Sequence, residues 1–349
     1  MSDYFTIAGL AVIMTLTLIL PFSVKKVEEE LEAFLLIMGL SSVTISGLWS
    51  AALIEDAFRE PVKITAAVLI LGFAFRAARP WFGQCMNGLI KKLGLRWTLF
   101  ALIAFLGLGS SLMTAVISAL ALAEMISLLK LDRASEIRIV VYACYAIGLG
   151  AALTPIGEPL GAIAVSKLKA PPHNAGFFYL LEQIGAWVVP GVLFTAFWGT
   201  RGLRAAGHSL AGLTEDSKET GGDIAGRSAK VYIFVMALIF LGAGLTPLAE
   251  RFVPQMPAWG LYWANSISAV LDNATLAAAE LVPIMTDRQV KFVLMGLLIS
   301  GGMLIPGNIP NIISASKLGI KSGEWARAAL PYGSALMAVY FVLMTILVK

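Results

Sequence analysis

Five acidic side chains lie within strongly apolar stretches of this chain, and their chemistry most needs an explanation. They are Glu124, Glu158, Glu182, Asp272 and Glu280. An ionisable group surrounded by hydrocarbon is costly, which makes each of them a functional candidate by default. No Lys or Arg is predicted in the interior of the same stretches. The excess of negative charge favours a site that binds a cation.

The five acids differ in their immediate surroundings. Glu158 lies inside a proline-interrupted block, and Asp272 lies in a second polar interruption of an apolar stretch. We predict that these two line the site. Glu124 and Glu280 lie in the descending arms of the two predicted hairpins, and for them we favour a role in which they face water or pair with loops. Glu182, about two turns into an apolar run, fits a buried hydrogen bond between helices.

The interruptions occur twice, about 150 residues apart. TAVISALALAE (114–124) is matched by SAVLDNATLAAAE (268–280), and TPIGEPLGAIAVSKL (154–168) is matched by IPGNIPNIISASKL (305–318). Both blocks of the second pair carry two prolines four residues apart and end in Ser-Lys-Leu. Duplicated, interrupted hydrophobic segments at corresponding positions of two halves point to the binding site of a secondary transporter.

The proline-rich blocks cannot continue as regular α-helix. Proline removes a backbone donor and clashes one turn back, and Gly157 between Pro155 and Pro159 weakens the helix further. We therefore predict unwound backbone at 154–159 and at 306–311. Such backbone is tolerated at membrane depth only where it is buried in protein or lines a watery cavity. Half-helix ends and free carbonyls at such a cavity can hold ions of either sign.

Amide and hydroxyl side chains accompany the acids at these interruptions. Asn273 adjoins the second acid, and Asn308 and Asn311 lie in the second break. Asparagine also caps helices well, so these two have a structural explanation beside a functional one. Thr114 and Ser118 align with polar residues of the matching block, although small hydroxyl residues are also ordinary packing in membrane helices. We predict all five as ligands.

Composition sets the class of protein. Hydrophobic residues make up 58% of the chain and charged residues 14%, with a mean hydropathy of +0.82, which predicts a multi-pass protein of the inner (plasma) membrane. The lipid bilayer and the transported ion are then its expected partners, and nucleic acid is not. Cys85 and Cys144 lack CxxC spacing and His173 and His208 fall in predicted loops, which gives no support for a zinc site or disulfide framework.

The sequence contains no HExxH or GxxxxGK[ST] motif, so neither an enzyme nor a resident cofactor is expected. Most of the 26 Lys and Arg residues fall on the inner side when the N-terminus is placed outside. The predicted fold is an all-α polytopic membrane protein with inverted repeats, about eight full spans and two re-entrant hairpins. The predicted spans are 5–22, 34–54, 62–79, the broken span 139–168, 177–199, 231–248, the broken span 291–318 and 328–347. Its parts are scaffold helices at 1–55, repeat 1 at 56–199 (hairpin 97–130, broken helix 139–168), a cytoplasmic linker at 200–230, and repeat 2 at 231–349 (hairpin 257–285, broken helix 291–318).

The motifs TPIGEP, GNIPN and SAVLDNAT resemble those of the ion transporter superfamily. That superfamily includes NhaD-type sodium/proton antiporters, arsenite-pump membrane subunits and sodium-coupled dicarboxylate carriers. Nearly the whole chain fits, and it is most similar to a small, largely uncharacterised prokaryotic family of cation transporters. The resemblance implies an elevator-capable fold and one ion site. The implied ligands are Asp272, Asn273 and Thr275 from one hairpin and Thr154, Gly157 and Glu158 from the opposite break, with Asp272, Asn273 and Glu158 holding the cation.

Two departures from the superfamily pattern bear on the substrate. The first hairpin tip, TAVIS, lacks the expected Asn, and Glu158 replaces the Thr of carboxylate carriers. An additional carboxylate would repel a carboxylate substrate. We therefore expect a cation/proton antiporter, with sodium as the first ion to test. The alternative is a sodium-coupled carrier or exporter of a small anion or oxyacid, and a homodimer is the candidate assembly.

Overall fold

The structure, a computed structural model, describes residues 2–129, 131–201, 203, 221–252, 256–270 and 273–348. Every regular element in these residues is helical, so the predicted all-α fold is confirmed. The helices carry long apolar faces, and among the described residues these faces pack into one large hydrophobic core and two smaller clusters.

The N-terminal part forms three helices, α1 (Ser2–Ser23), the short α2 (Lys25–Glu29) and α3 (Leu31–Ser46). α1 matches the first predicted span. The predicted span 34–54 is shorter in the structure, because Gly47 ends α3 with a left-handed φ of 70°. Glycine adopts this conformation without the steric cost that other residues incur.

α4 (Ala51–Met113) is much longer than any predicted span. It joins the predicted span 62–79 to the predicted hairpin arm that begins at 97, and only Gly94 departs from helical geometry, with a φ of 77°. Pro80 lies inside the helix, although it was expected to fall in a loop. Proline is tolerated in membrane helices where neighbouring groups satisfy the freed backbone.

Two interruptions occur among α4 and the four helices that follow it. Thr114, with a φ of 74°, separates α4 from α5 (Ala115–Ser127). α6 (Arg133–Ala151) and α7 (Pro159–Lys167) are separated by a non-helical segment, and α8 (Tyr179–Thr200) follows after a loop.

α9 (Gly221–Phe252) begins within the stretch 200–230 that was predicted as a linker. Its first turns are polar extensions of an apolar helix, which hydropathy alone assigns to a loop. α10 (Ala258–Ala264) continues as a 3₁₀ helix (Asn265–Ala269), and α11 (Asn273–Glu280) follows.

The C-terminal part repeats the pattern of an interrupted helix. α12 (Asp287–Ser300) is followed by a short 3₁₀ turn (Ile305–Gly307) and then by α13 (Ile309–Leu318). The last helix, α14 (Ser322–Leu347), agrees with the predicted final span but begins about two turns earlier.

Six helical segments within the described residues are long and apolar enough to cross a membrane. This supports a membrane protein, with fewer full-length spans than the eight predicted. α3, with 16 residues, is one of the shorter apolar helices instead. The six segments are Tyr4–Pro21, Pro80–Met113, Arg133–Ala151, Tyr179–Thr200, Ile224–Leu248 and Ser322–Leu347.

The interrupted helices lie at the centre of the molecule. α6 is the most buried of the six segments, and nearly every residue of α12 after Val290 is buried. α6 crosses α4 so closely that a Cβ on Gly150 would lie 1.9 Å from the carbonyl oxygen of Gly107. α5 packs against α13, and α11 packs against α7. These contacts bring the two interrupted regions together with the helices that follow Thr114 and Asp272.

Candidate functional site

A cavity of about 560 Å³ opens at the first interruption. Its wall is formed by one face of α4, the Thr114 turn, the segment between α6 and α7, and the start of α13. The polar residues at this wall are few. They are Thr114, Gly157, Glu158 and Lys63, surrounded by isoleucine, leucine, valine, alanine and proline side chains.

Glu158 is the carboxylate that the local chain geometry holds at this cavity. It immediately precedes α7 with extended backbone (φ −154°, ψ 161°), and Pro159 begins the helix with a φ suited to its first turn. Its side chain makes no capping bond to α7 and is 6% exposed. A negative charge at this end of a helix is favoured by the helix dipole.

The other predicted ligands of the first break tie it to the α4–α5 turn. The backbone N–H of Ala115 donates to the carbonyl of Gly157 at 2.8 Å. The Thr154 hydroxyl donates to the carbonyl of Ser111 and accepts from the backbone of Ile156. A Cβ on Gly157 would lie 2.0 Å from the Ala151 carbonyl oxygen, so only glycine fits there.

The Thr114 hydroxyl accepts a bond from the backbone of Ile117 at 3.4 Å and so caps α5. Thr114 and Thr154 thus both have structural roles, and of the two Thr114 also borders the cavity. Lys63 was not predicted at the site. Its ammonium is within 2.8 Å of the Glu60 carboxylate and is mostly exposed, so it lies at the mouth of the cavity.

The second interruption gathers amides and carbonyl oxygens around Gly301. The Asn311 amide donates to the carbonyls of Gly301 and Leu304, at 2.8 and 2.9 Å. The Asn273 amide nitrogen is 3.6 Å from the position that a Cβ atom on Gly301 would occupy. Asn311 Oδ1 and Asn273 Nδ2 are both buried without a hydrogen-bond partner among the described residues.

Backbone carbonyls also converge on Gly307. A Cβ at this position would lie 2.5 Å from the oxygen of Gly301, 2.7 Å from that of Ser268 and 3.0 Å from that of Ala269. Carbonyl and amide oxygens are the ligands that hard cations prefer. Two predicted ligands, Asp272 and the side chain of Thr275, lie outside the described residues.

Neither asparagine of the second break forms the side-chain capping bond that was the structural alternative to a ligand role. Asn308 precedes α13 but makes no capping bond. Its buried side chain is pressed against Gly148 of α6, where a Cβ would lie 2.8 Å from the amide nitrogen. Asn311 holds the two sides of the break together instead. Ser118 is fully buried on α5, and its hydroxyl has no hydrogen-bond partner among the described residues.

A buried ion pair joins Lys317 of α13 to Glu124 of α5. The side chains are 5% and 3% exposed, respectively. Lys317 is one of the basic residues predicted on the inner side of the membrane, and the structure adds that its side chain is buried in the protein. The signal available in the sequence was the repeated Ser-Lys-Leu ending, which places a lysine at the end of each half-helix.

The structure also shows the surroundings of Glu182 and Glu280. Glu182 is exposed on α8, so the prediction of a buried hydrogen bond there was wrong. Glu280 is 3% exposed at the end of α11, which argues against the alternative in which it faces water. No group of three or more His, Cys, Asp or Glu side chains that could hold a metal occurs in the described parts of the chain.

A further cavity of about 610 Å³ lies between α8 and α14. Aromatic and aliphatic side chains form nearly all of its wall, and it contains no carboxylate. Its wall includes Tyr142, Tyr332 and Tyr340 but no acidic or amide side chain, and we therefore take the two interruptions as the candidate site.

Sequence comparison assigns the chain to a family without assigning it an activity. The family described as "Protein of unknown function (DUF1646)" matches residues 7–347, which is nearly the whole chain. No curated protein matches it.

Proposed function

The chain belongs to the DUF1646 family, whose description gives no activity, and we propose that it is a secondary active ion transporter of the cell membrane. In this proposal it works as a cation/proton antiporter by alternating access, with sodium as the first ion to test. One observation carries the proposal. A buried carboxylate, Glu158, borders a cavity at an interruption between two half-helices.

The proposed architecture is an inverted repeat. In each repeat a re-entrant hairpin precedes a broken helix, first α4–α5 with α6–α7 and then α10–α11 with α12–α13. The packing of α5 on α13 and of α11 on α7 supports this arrangement, because the second arm of each hairpin contacts the half-helix of the other repeat. Such crossed contacts are expected when two repeats of opposite orientation enclose one site.

The mechanism follows from competition for oxygen ligands. A proton and a metal cation compete for the same carboxylate, because each neutralises the charge that makes the other bind. Glu158 and Asp272 are the proposed carboxylates, one from each repeat. Asn273, Asn311 and the carbonyl groups near Gly307 are the proposed neutral ligands. Exchange of the bound proton for the cation on opposite sides of the membrane then couples the two fluxes.

The alternative is a sodium-coupled carrier of a small anion or oxyacid. Two observations favour it: α7 and α13 both begin at the interruptions with their positive dipole ends, and Lys63 lies at the mouth of the cavity. The Glu158 carboxylate opposes it, since an anion in the same cavity would meet like charge.

The experiment that separates the two functions uses purified protein in liposomes that contain a pH-sensitive dye. Sodium, potassium, lithium, calcium and small anions are added in turn. The antiporter proposal expects proton movement in response to one or a few cations and none in response to anions alone. Proton movement or uptake that requires an anion would reject it in favour of the carrier.

The inverted repeat is tested by cysteine accessibility. Cys85 is exposed and Cys144 is buried. We expect an impermeant maleimide to label Cys85 only from the cytoplasmic side. In a Cys85→Ser background, Lys169→Cys, in the exposed loop after α7, should react only from the outside. Labelling of both positions from the same side would contradict the inverted repeat.

A further inference from the structure

Glu124 and Glu280 are the last residues of the two matching blocks, yet their surroundings differ. Each glutamate ends its block, and the block that packs against it ends in Ser-Lys-Leu. Lys317 binds Glu124. The corresponding lysine, Lys167, is exposed and forms no ion pair with Glu280.

The Glu280 carboxyl is deeply buried, and no described residue supplies it with a compensating charge. Its Oε2 has no hydrogen-bond partner among the described residues. Asn265 is the polar side chain within hydrogen-bonding reach of the carboxyl group, and its own amide also donates to the carbonyl of Val293. A buried carboxylate needs a paired positive charge or a full set of hydrogen bonds. The surroundings of Glu280 in the described structure supply neither.

The elements packed against α11 are α7, α9, α12 and the 3₁₀ helix Asn265–Ala269. The 3₁₀ helix carries no charged residue. On α9, the side chains of Asp223, Arg227 and Glu250 lie outside the described residues. Most of the described charged side chains on these elements have other partners. On α9, Lys230 pairs with Glu32 and Arg251 lies over the ring of Tyr4. On α12, Asp287 contacts His173 and Arg288 lies over the ring of Phe292. The other two charged side chains are not deeply buried, since Lys291 is partly exposed and Lys167 is exposed.

We infer that Glu280 is a proton-binding site of the transport cycle, and this inference rests on the proposed antiport function. A proton is the occupant that fits, because it neutralises the carboxylate by forming an O–H bond and needs no coordination shell. The step is reversible binding of one proton to the carboxylate. At the corresponding position of the other repeat, the ammonium of Lys317 takes the place of that proton permanently. One repeat therefore has a fixed cation and the other an exchangeable one.

The test is infrared spectroscopy of the purified protein during a pH titration. The carbonyl stretch of protonated carboxyl groups reports each buried acid without requiring transport. We expect Glu280→Gln to lose one pH-dependent component of this signal. Glu182→Gln, the same change at an exposed glutamate, should leave that component in place. Glu280→Asp keeps a titrating group and should retain the component with a shifted midpoint, so the inference stays testable if the Gln variant folds poorly.

Liposome flux is the second readout. Cation-driven proton movement should be lost in Glu280→Gln and retained in Glu182→Gln. An unchanged infrared titration in Glu280→Gln, or a midpoint that Glu280→Asp does not move, would overturn the inference. If the wild type instead showed no cation-driven flux, the antiport proposal would fail, whereas the infrared titration would still decide whether Glu280 binds a proton.

Discussion

Replacement of Glu158 by Gln is expected to abolish cation-driven proton movement in liposomes. Glutamine keeps the size of the side chain and much of its hydrogen bonding, but removes the charge for which proton and cation compete. Removing one partner of a buried charge pair costs about 3–5 kcal/mol, so cation affinity should fall by about a hundredfold or more. The fold should survive, because glutamine has the same shape and can keep the hydrogen bonds that a carboxamide is able to make.

The matched control is Glu55→Gln. Glu55 carries the same group on α4, but it is exposed and pairs with Arg59 on the surface. Its replacement should leave flux and cation affinity near the wild-type values, since exposed pairs contribute little. Full exchange activity in Glu158→Gln would remove this carboxylate from the mechanism and favour the anion carrier.

The second large effect is expected at Lys317. Replacement by Met keeps the length and apolar stem of the side chain but leaves the Glu124 carboxylate buried without its cation. Loss of one partner of a buried ion pair destabilises a protein by about 3–5 kcal/mol. The thermal unfolding midpoint in detergent should therefore fall clearly. The double variant Lys317→Met/Glu124→Gln should recover much of the loss, since no unpaired charge remains.

Lys169→Met is the control for the Lys317 prediction, because Lys169 is exposed in the loop after α7. It should unfold near the wild-type temperature. If the Lys317→Met variant unfolds at the same temperature as the Lys169→Met control, the ion pair contributes nothing to stability. If the double variant is as unstable as the single one, the unpaired Glu124 charge does not explain the effect.

Long apolar runs were the reliable part of the sequence analysis. α8 begins and ends within two residues of its predicted span, because length and hydropathy suffice where one apolar run is bounded by polar loops. The same approach failed at α4, where Pro80 and the basic residues after it indicated a loop. Helix continuity through a proline depends on neighbouring elements, which the local sequence does not reveal.

The four prolines show how much of a broken helix can be predicted from its sequence. Pro155 and Pro306 lie in the interrupted segments, whereas Pro159 and Pro310 lie in the first turns of α7 and α13. Proline at the start of a helix is compatible with helical geometry. The spacing of four residues therefore marks both the break and the restart of the helix. The sequence indicated that the helix is interrupted, and the role of each proline depends on where the second half begins.

The sequence did not predict which side chains contact one another at the site. The pairing of Glu124 with Lys317 joins residues 193 positions apart, and no local pattern specifies such a contact. The rotation of α8 that exposes Glu182 is likewise set by the helices it packs against. Asn311 was predicted at the break, but its bonds to two carbonyls depend on the conformation of residues 301–304.

The most direct test of the central claim is calorimetric measurement of cation binding to the wild-type protein at two pH values. Competition between a proton and the cation for one carboxylate predicts that apparent affinity falls as pH drops, by up to about tenfold per pH unit once the carboxylate is mostly protonated. The Glu158→Gln variant should show weak binding with a reduced pH dependence. Cation binding that is equally tight at both pH values in the wild type would contradict the account.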